Sequence, residues 1–249
     1  MKLTEHCFAV LGLGYTTPWA INAGFVTGGD TTLIIDTGPN FLGAQTIYGY
    51  AKNIKPENNL VVINSEKHLD HIGGNCLFKE KGVKIYGHKL INRTDDDLIE
   101  DMSDFNKSIT NEKRRSANEE NVFYSGTKII NPDFSVSNHQ TFDLGNGIKA
   151  RIIYTLGHTQ TNISVYIPNE KVLYCGDCIV NGYIPNLEAG VKEDWDKWIT
   201  SLALISELDI DFVVPGHGNI IAGKDIPKAI KRMKTVLEEA IYCDKAPTV

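Results

Sequence analysis

The sequence predicts an α/β fold in which two β-sheets pack against each other and helices cover their outer faces. Two observations lead to this prediction. Short apolar segments with strand character occur in both halves of the chain, and each half also contains amphipathic helical segments. Two such halves are typical of two sheets that bury one face against each other and the other face under helices.

The first half of the chain contains strand signals, two helix signals and a hairpin turn. Residues 28–30, with the sequence Gly-Gly-Asp, predict the turn. The apolar spacing of residues 41–54 predicts a helix that Pro56 ends, and residues 75–80 predict a short one. The strand signals are residues 8–13, 21–26, 32–35, 60–63 and 83–86.

The second half repeats this organisation. Residues 195–208 have the spacing of an amphipathic helix with Asp194 as its N-cap, and residues 226–242 predict a last helix. A Gly-Asn-Gly turn at residues 145–147 separates the first two strands. The strand signals are residues 141–144, 148–155, 163–167, 171–174 and 212–214.

A long polar segment from residue 88 to about residue 120 interrupts the strand signals. It is rich in charged residues and poor in aromatic ones. We predict that residues 1–249 form a single domain, with this segment inserted as one or two exposed helices. The segment either forms a solvated face or covers a substrate as a lid.

The composition argues against two classes of partner. The chain has 25 Lys and Arg against 31 Asp and Glu, a net charge of −6, whereas nucleic-acid-binding proteins usually carry a basic surface. No apolar run approaches the roughly 20 residues that span a bilayer. The N-terminal apolar run is short and broken by glycines, so it does not predict a signal peptide. Five cysteines without such a signal favour reduced thiols and a cytoplasmic location.

Four metal-binding side chains lie close together after the strand at residues 60–63. They are Glu66, His68, Asp70 and His71. In an extended segment the first three would point to one side, and a turn at Asp70 could bring His71 round. Two ligand directions favour two metal ions. The alternative is a polar loop that happens to contain two histidines.

Three further strand signals end in metal-binding residues. His158, Asp177 and His217 each follow a glycine directly, which allows a tight turn and close approach of the backbone. Asp36 ends another strand. It could accept a hydrogen bond from a ligand imidazole, or it could cap the following helix.

These motifs resemble those of the metallo-β-lactamase superfamily in order and spacing. The resemblance implies an αββα four-layer sandwich of two mixed β-sheets, with a binuclear metal site at one edge. It assigns Glu66, His68 and His158 to one ion, assigns Asp70, His71 and His217 to the other, and makes Asp177 the bridge. The matching segments are Asp36-Thr37-Gly38, Glu66-x-His68-x-Asp70-His71, Gly157-His158, Gly176-Asp177 and Gly216-His217-Gly218.

Glu66 departs from the family pattern, in which the first ligand is usually a histidine. Two divalent cations bring four positive charges, and Glu66, Asp70, Asp177 and a hydroxide bring four negative ones. A neutral cluster should be a weaker Lewis acid, and the added carboxylate favours harder ions. We expect two divalent ions, with zinc as the first choice and iron or manganese as alternatives.

The resemblance implies a binuclear metal-dependent hydrolase with a metal-bridging hydroxide as the nucleophile. Asp70 and Asp177 would orient that nucleophile and relay a proton to the leaving group. We expect a small ester, thioester or lactone as substrate. The alternatives are a phosphodiesterase or β-lactam hydrolysis at the same site, and a diiron protein that reacts with oxygen or acts as a sensor. A homodimer is compatible with the sequence.

Several family activities are not expected. After His217 only a helix is predicted, whereas glyoxalase II enzymes carry a helical domain that holds glutathione and flavodiiron proteins carry a flavin domain. No segment resembles a nucleic-acid-clamping domain. Antibiotic-degrading relatives are exported, and one class binds the drug carboxylate with a lysine where this chain has Val180.

A few residues near these motifs are pocket candidates with plain alternatives. Cys178 could be a minor ligand or a residue beside the metals, and its C-x-x-C spacing with Cys175 is only a weak redox signal. His88 could line the pocket or serve packing. Tyr183 could contact substrate. The aromatic loop at residues 14–19 could form a lip over the substrate or pack upon itself.

Overall fold

The computed structural model describes residues 1–14, 20–187 and 190–246, which contain two six-stranded β-sheets. In the first sheet the strands follow one another in chain order. They are β1 (Cys7–Leu13), β2 (Ile21–Thr27), β3 (Thr31–Ile35), β4 (Asn59–Ile63), β5 (Lys84–Gly87) and β6 (Phe134–Ser135). The first three strands pair antiparallel and β3 to β6 pair parallel, so the carboxyl ends of β3, β4 and β5 lie at one edge.

The second sheet has the order β12-β11-β10-β9-β8-β7. Its strands are β7 (Thr141–Asp143), β8 (Lys149–Tyr154), β9 (Ile163–Ile167), β10 (Val172–Tyr174), β11 (Phe212–Val214) and β12 (Ile221–Ala222). Only β10 and β11 pair parallel, so their carboxyl ends are neighbours. Both sheets are therefore mixed. The two-residue strands β6 and β12 are too short for an apolar pattern to predict them.

The two sheets pack face to face through apolar side chains that alternate along the strands. On β1, Cys7 and Ala9 belong to the core between the sheets, while Phe8 and Val10 belong to the core under the helices. This period of two is the alternation expected of a strand. Both faces of the central strands are buried, which explains why their sequences are continuously apolar.

Helices cover the outer face of each sheet. The first sheet is covered by α1 (Phe41–Ile54) and α3 (Asn75–Glu80), and the second by α7 (Lys192–Ser206) and α8 (Ile226–Cys243). The prediction of a four-layer αββα sandwich is confirmed. The predicted N-cap of α7 is wrong: the helix begins at Lys192, and the Asp194 carboxylate, already inside the first turn, accepts a hydrogen bond from the Val191 amide at 3.4 Å.

The charged insert folds into three helices rather than one or two. They are α4 (Asp95–Ser108), α5 (Glu112–Ser116) and α6 (Glu119–Phe123). Asn118, in the left-handed region with a φ of 55°, separates the two five-residue helices, which are too short to show a period. Phe105 is fully buried and stacks on Phe123 with 4.5 Å between ring centroids, so the insert is not only a solvated face. In the part of the chain described here, no helix combines the length and apolar character that a membrane span requires.

Candidate metal centre

Seven metal-binding side chains from four strand ends converge at one edge of the sandwich. The ligand atoms of four of them lie within 4.8 Å of one another, and so do those of the other three. The first group is Glu66, His68, His158 and Asp177, and the second is Asp70, His71 and His217. The structure therefore brings together all seven residues that the sequence selects, with Asp177 grouped with Glu66, His68 and His158.

The segment after β4 is less extended than its alternating pattern predicts. A four-residue helix, α2 (Leu69–Ile72), begins directly after His68, and both Asp70 and His71 lie on it. The extended alternation therefore ends at His68, where the helix begins. The helical turn, rather than a pleat, gives Asp70 and His71 their different directions.

The other three candidate ligands follow strand ends, as predicted. His158 follows β8, Asp177 lies in a short 3-10 turn at Gly176–Cys178 after β10, and His217 follows β11. The loops that carry Asp177 and His217 lie close together. The Gly216 amide of one donates a 2.7 Å hydrogen bond to the Gly176 carbonyl of the other. A side chain at position 216 would collide with Oδ1 of Asp177, so only glycine allows this approach.

The distances between ligand atoms fit a shared cation better than direct hydrogen bonds. Nε2 of His217 lies 3.2 Å from Oδ2 of Asp70, and Nε2 of His158 lies 3.6 Å from Oε1 of Glu66. Nε2 of His158 lies 3.4 Å from Oδ2 of Asp177. Four ligand atoms placed tetrahedrally at about 2.0–2.1 Å from a zinc ion are about 3.3 Å apart. The spacing therefore suits such an ion.

Buried atoms without hydrogen bonds support the same interpretation. Oε1 of Glu66, Nε2 of His71 and Oδ1 of Asp177 are buried and make no hydrogen bond of acceptable geometry with the described residues. Oε1 of Glu66 does lie 2.6 Å from Nδ1 of His68, which is an ion-pair distance when that imidazole is protonated. Each unpaired buried polar atom lowers the free energy of unfolding by about 1–3 kcal/mol, and metal cations bound at the two groups would satisfy all three atoms. The residues present fit two divalent ions.

Glu66 is held ionised by its neighbours. It is fully buried, and burial alone would raise the pKa of its carboxyl group. The imidazoles of His68 and His158 overcome this effect and hold the pKa of Glu66 well below its ordinary value. A buried carboxylate that stays negative needs positive charge beside it.

The histidines show the complementary effect. Burial alone would lower the pKa of His71, but the Asp36 carboxylate, followed by those of Asp70 and Asp177, raises it well above its usual value. In the same way, Asp177 and Asp70 overcome burial and raise the pKa of His217 to about 11. Without metal, protons on the imidazoles therefore balance the carboxylates. Divalent ions would replace those protons.

Two hydrogen bonds aim histidine nitrogens into the centre. Oδ2 of Asp36 lies 2.9 Å from Nδ1 of His71, and Ala20 accepts a 2.8 Å hydrogen bond from Nδ1 of His217. In each ring the other nitrogen, Nε2, is left to face the ligand cluster. Asp36 does not cap the following helix, because the side chain of Asn40 caps α1.

The remaining pocket candidates lie outside the ligand cluster. His88 is buried, its ring packs on Tyr154 at 4.9 Å, and burial lowers its pKa. Tyr183 is half-buried against the apolar core beside α7. Cys178 lies in that core, where burial raises the pKa of its thiol to about 12. The predicted aromatic lip falls on residues 15–19, which lie outside the described residues.

The sequence did not predict several residues that surround the centre. The Ser65 hydroxyl donates to Asp36, and the Thr159 hydroxyl donates to Glu66. Both are direct neighbours of ligands, but nothing in their spacing distinguishes them from other polar residues. Asp101 on the insert is also influenced by the centre: burial raises its pKa to about 6, Arg93 opposes this effect, and the negative charge of Asp70 adds to it. No sequence signal relates residue 101 to residue 70.

Comparisons with known proteins agree with this geometry. A family model described as the metallo-beta-lactamase superfamily matches residues 16–217. The structure of a metallo-beta-lactamase from Pontibacter korlensis aligns with a TM-score of 0.69 over 96% of this chain and 97% of that chain. Its sequence is 18% identical, so this likeness shows the fold alone.

Curated relatives match over shorter stretches. "Beta-lactamase-like protein 2 homolog" of Caenorhabditis elegans is 34% identical over 76 residues, which are 30% of this chain and 24% of that protein. "Metallo-beta-lactamase type 2" of Bacillus sp. (strain 170) is 26% identical over 161 residues, which are 64% of this chain and 51% of that protein. The chain therefore matches a quarter to a half of the length of these relatives.

Proposed function

The chain belongs to the metallo-β-lactamase superfamily, and on that basis we propose that it is a hydrolase that uses two divalent metal ions. One observation carries the proposal. Seven ligand-type side chains from both sheets meet at one edge of the sandwich, in two groups whose ligand atoms lie within 4.8 Å of one another. Without metal cations, only protons on the imidazoles balance the buried carboxylates of this site.

When bound, two divalent ions would polarise a substrate carbonyl and lower the pKa of a water molecule. The protein contributes the orientation of its ligands and a route for the proton. We assign the proton transfer to Asp70 and Asp177. The Asp70 side chain is 19% exposed and that of Asp177 is 9% exposed, so Asp70 is the more accessible to a leaving group.

We propose an uncharged acyl compound as substrate: a small ester, thioester or lactone. The charges on the insert support this choice over a phosphodiester. The guanidinium of Arg93 is paired on both sides, at 3.2 Å with Asp97 and at 3.1 Å with Asp101. Burial raises the pKa of Asp101 to about 6, and the negative charge of Asp70 in the centre adds to this effect against Arg93. An anionic phosphate would meet this negative charge without a free guanidinium to bind it.

A dedicated role in β-lactam degradation has less support. In one class of these enzymes a lysine binds the carboxylate of the drug at the position of Val180. Here that side chain is apolar, 5% exposed, and packed in the core beside α7. We therefore propose at most slow, incidental cleavage of β-lactams.

The ligand set supports a second candidate, a diiron protein. Glu66 adds a third carboxylate to four imidazoles, and oxygen ligands favour harder ions such as iron or manganese. Elemental analysis of protein purified without added metal would separate the two candidates. Two irons per chain would favour the diiron protein, and two zincs would favour the hydrolase.

A substrate panel tests the hydrolase proposal. The protein is stripped with a chelator, reloaded with zinc, manganese or iron, and assayed with nitrophenyl esters, thioesters, lactones, bis(nitrophenyl) phosphate and nitrocefin. We expect metal-dependent hydrolysis of an acyl substrate, lost in Asp70→Asn. The matched control is Asp209→Asn, since Asp209 is an exposed carboxylate that pairs with Lys171. Faster cleavage of the phosphodiester, or no binding of divalent ions, would refute the proposal.

A further inference from the structure

A pair of buried threonines holds one oxygen of Glu66. The Thr159 hydroxyl donates a 2.9 Å hydrogen bond to Oε2 of Glu66, and Thr161 Oγ1 lies 2.9 Å from Thr159 Oγ1. Glu66 is fully buried, Thr159 is 3% exposed and Thr161 is 2% exposed. Water therefore does not compete for these contacts.

The direction of each hydrogen bond follows from the donors available. A carboxylate only accepts, so the single hydroxyl proton of Thr159 goes to Glu66. Thr159 must then accept from Thr161. Thr161 Oγ1 is in turn free to accept from the Lys67 amide, which lies 3.1 Å away. This relay of hydrogen bonds runs from the Lys67 amide through Thr161 and Thr159 to Glu66, which directly precedes Lys67 in the sequence.

This relay leaves one oxygen of Glu66 for the centre. A carboxylate can bind a cation through one oxygen or through both, and ions of higher coordination number accept both. Here Oε2 is occupied by Thr159, whereas Oε1 faces the imidazoles of the centre, at 2.6 Å from Nδ1 of His68 and 3.3 Å from Nε2 of His71. Glu66 thus offers a single atom, as an imidazole would.

We propose that Thr159 and Thr161 are positioning residues that keep Glu66 a one-oxygen ligand and thereby favour four-coordinate ions such as zinc. This inference rests on the proposed function, because it assumes that the centre binds divalent metal. It assigns a metal-selecting role to Thr159, which contacts Glu66, and to Thr161, which contacts Thr159.

Metal titration tests the inference without an activity assay. Metal-free wild type, Thr159→Val and Thr159→Ser are titrated with zinc and with manganese against a chromophoric chelator. Valine keeps the shape and removes the donor, whereas serine keeps the donor. We expect Thr159→Val to weaken zinc binding by about 10–100-fold, as changes around ligands usually do, and manganese binding by less. Thr159→Ser should restore the wild-type ratio.

The visible spectrum of cobalt-substituted protein gives a second readout. Four-coordinate cobalt absorbs more strongly than six-coordinate cobalt, so Thr159→Val should weaken the bands if Oε2 becomes a ligand. Thr32→Val is the matched control, because Thr32 is a buried threonine on β3 whose hydroxyl accepts from Asn58 at 3.2 Å. It should change neither the spectrum nor the ratio of affinities.

The outcomes separate this inference from the proposed function. If wild type binds no divalent ion, the proposed function fails. If wild type binds two ions but Thr159→Val has an unchanged affinity ratio and spectrum, only the inference fails. If Thr159→Val does not fold, Thr159→Ala removes the same donor to Glu66 and should shift the ratio in the same direction, and no shift there overturns the inference. In a Glu66→His background, Thr159→Val should lose its effect on the ratio, and a retained effect also overturns it.

Discussion

Oδ2 of Asp36 lies 2.9 Å from Nδ1 of His71, in a pair that is almost completely buried. Asp36 is held in turn by the Ser65 amide and hydroxyl, each at 2.7 Å. Its φ of 60° lies in the left-handed region, which Asp tolerates better than most residues. The pair connects the end of β3 to the ligand helix α2 and leaves Nε2 of His71 facing the centre.

Asp36→Asn should weaken metal binding by about 10–100-fold, the usual effect of changing the partner of a ligand imidazole. The amide keeps the size of the side chain but lacks the charge that orients His71. Chelator competition with zinc measures the change, and Asp225→Asn, a change at an exposed carboxylate that pairs with Lys228, is the control. Unchanged zinc affinity in Asp36→Asn would contradict the orienting role.

Asp177→Ala should abolish turnover and release at least one metal ion per chain. Asp177 approaches histidines of both groups, with Oδ1 at 3.3 Å from His71 and Oδ2 at 3.4 Å from His158 and from His217. If Asp177 bridges the two ions, as the family resemblance implies, its removal would leave each ion one ligand short. Elemental analysis and the ester assay measure the two effects. Full activity with two bound ions would rule out the bridging assignment.

Glu66→His should move metal preference towards zinc and shift the acidic limb of the pH–rate profile to lower pH. The substitution makes the cluster more positive by one charge, which lowers the pKa of bound water, here on the order of one pH unit. Affinity ratios for zinc and manganese and the pH dependence of kcat/KM measure the two effects. If both stay as in wild type, the charge argument fails.

Leu69→Ala should loosen the insert. Leu69 lies between two ligands and packs in one apolar cluster with Phe105, Ile109 and Tyr124, so the insert rests on the ligand segment. A buried Leu→Ala change costs about 2–5 kcal/mol. We expect faster amide hydrogen exchange in α4 and α6. Leu77→Ala, which removes the same atoms from the core under α1, should leave exchange in the insert unchanged. Equal exchange in both variants would contradict this packing role.

The gain in thermal stability from zinc should increase from pH 6 to pH 9. The pKa of Asp177 is lowered, so its contribution to stability is present above about pH 3.9 and is lost as pH falls further. The pKa of His217 is raised to about 11, so its contribution is present below about pH 6.5 and declines as pH rises towards 11. The free energy of unfolding of the metal-free protein therefore falls between pH 6 and pH 9. Zinc replaces the protons, and its binding strengthens as they become fewer.

Unfolding scans with zinc and with a chelator, at several pH values, measure this gain. An equal gain in Tm at pH 6 and pH 9 would show that the imidazoles hold no displaceable protons. Thr32→Val should follow the wild-type curve, because its hydroxyl takes no part in the ligand cluster.

Much of the scaffold was predictable because it depends on local pattern. Apolar runs and glycines predicted β1 to β4 within one residue at each end, and α1 at both of its ends. The helix α2 was missed because four residues are too few to show a period, and it changed the reason for the directions of Asp70 and His71. The insert was misjudged because Phe105 and Tyr124 meet only after its helices fold back.

By itself, the sequence determined which side chains end the strands, since residue type and a preceding glycine are local properties. Only the tertiary structure decided what holds those side chains. Thr159 meets Glu66 across 93 residues of chain, and Asp36 meets His71 across 35. Such pairs depend on how the packing of the sheets places two strand ends. The sequence around each residue does not indicate which residue it will contact.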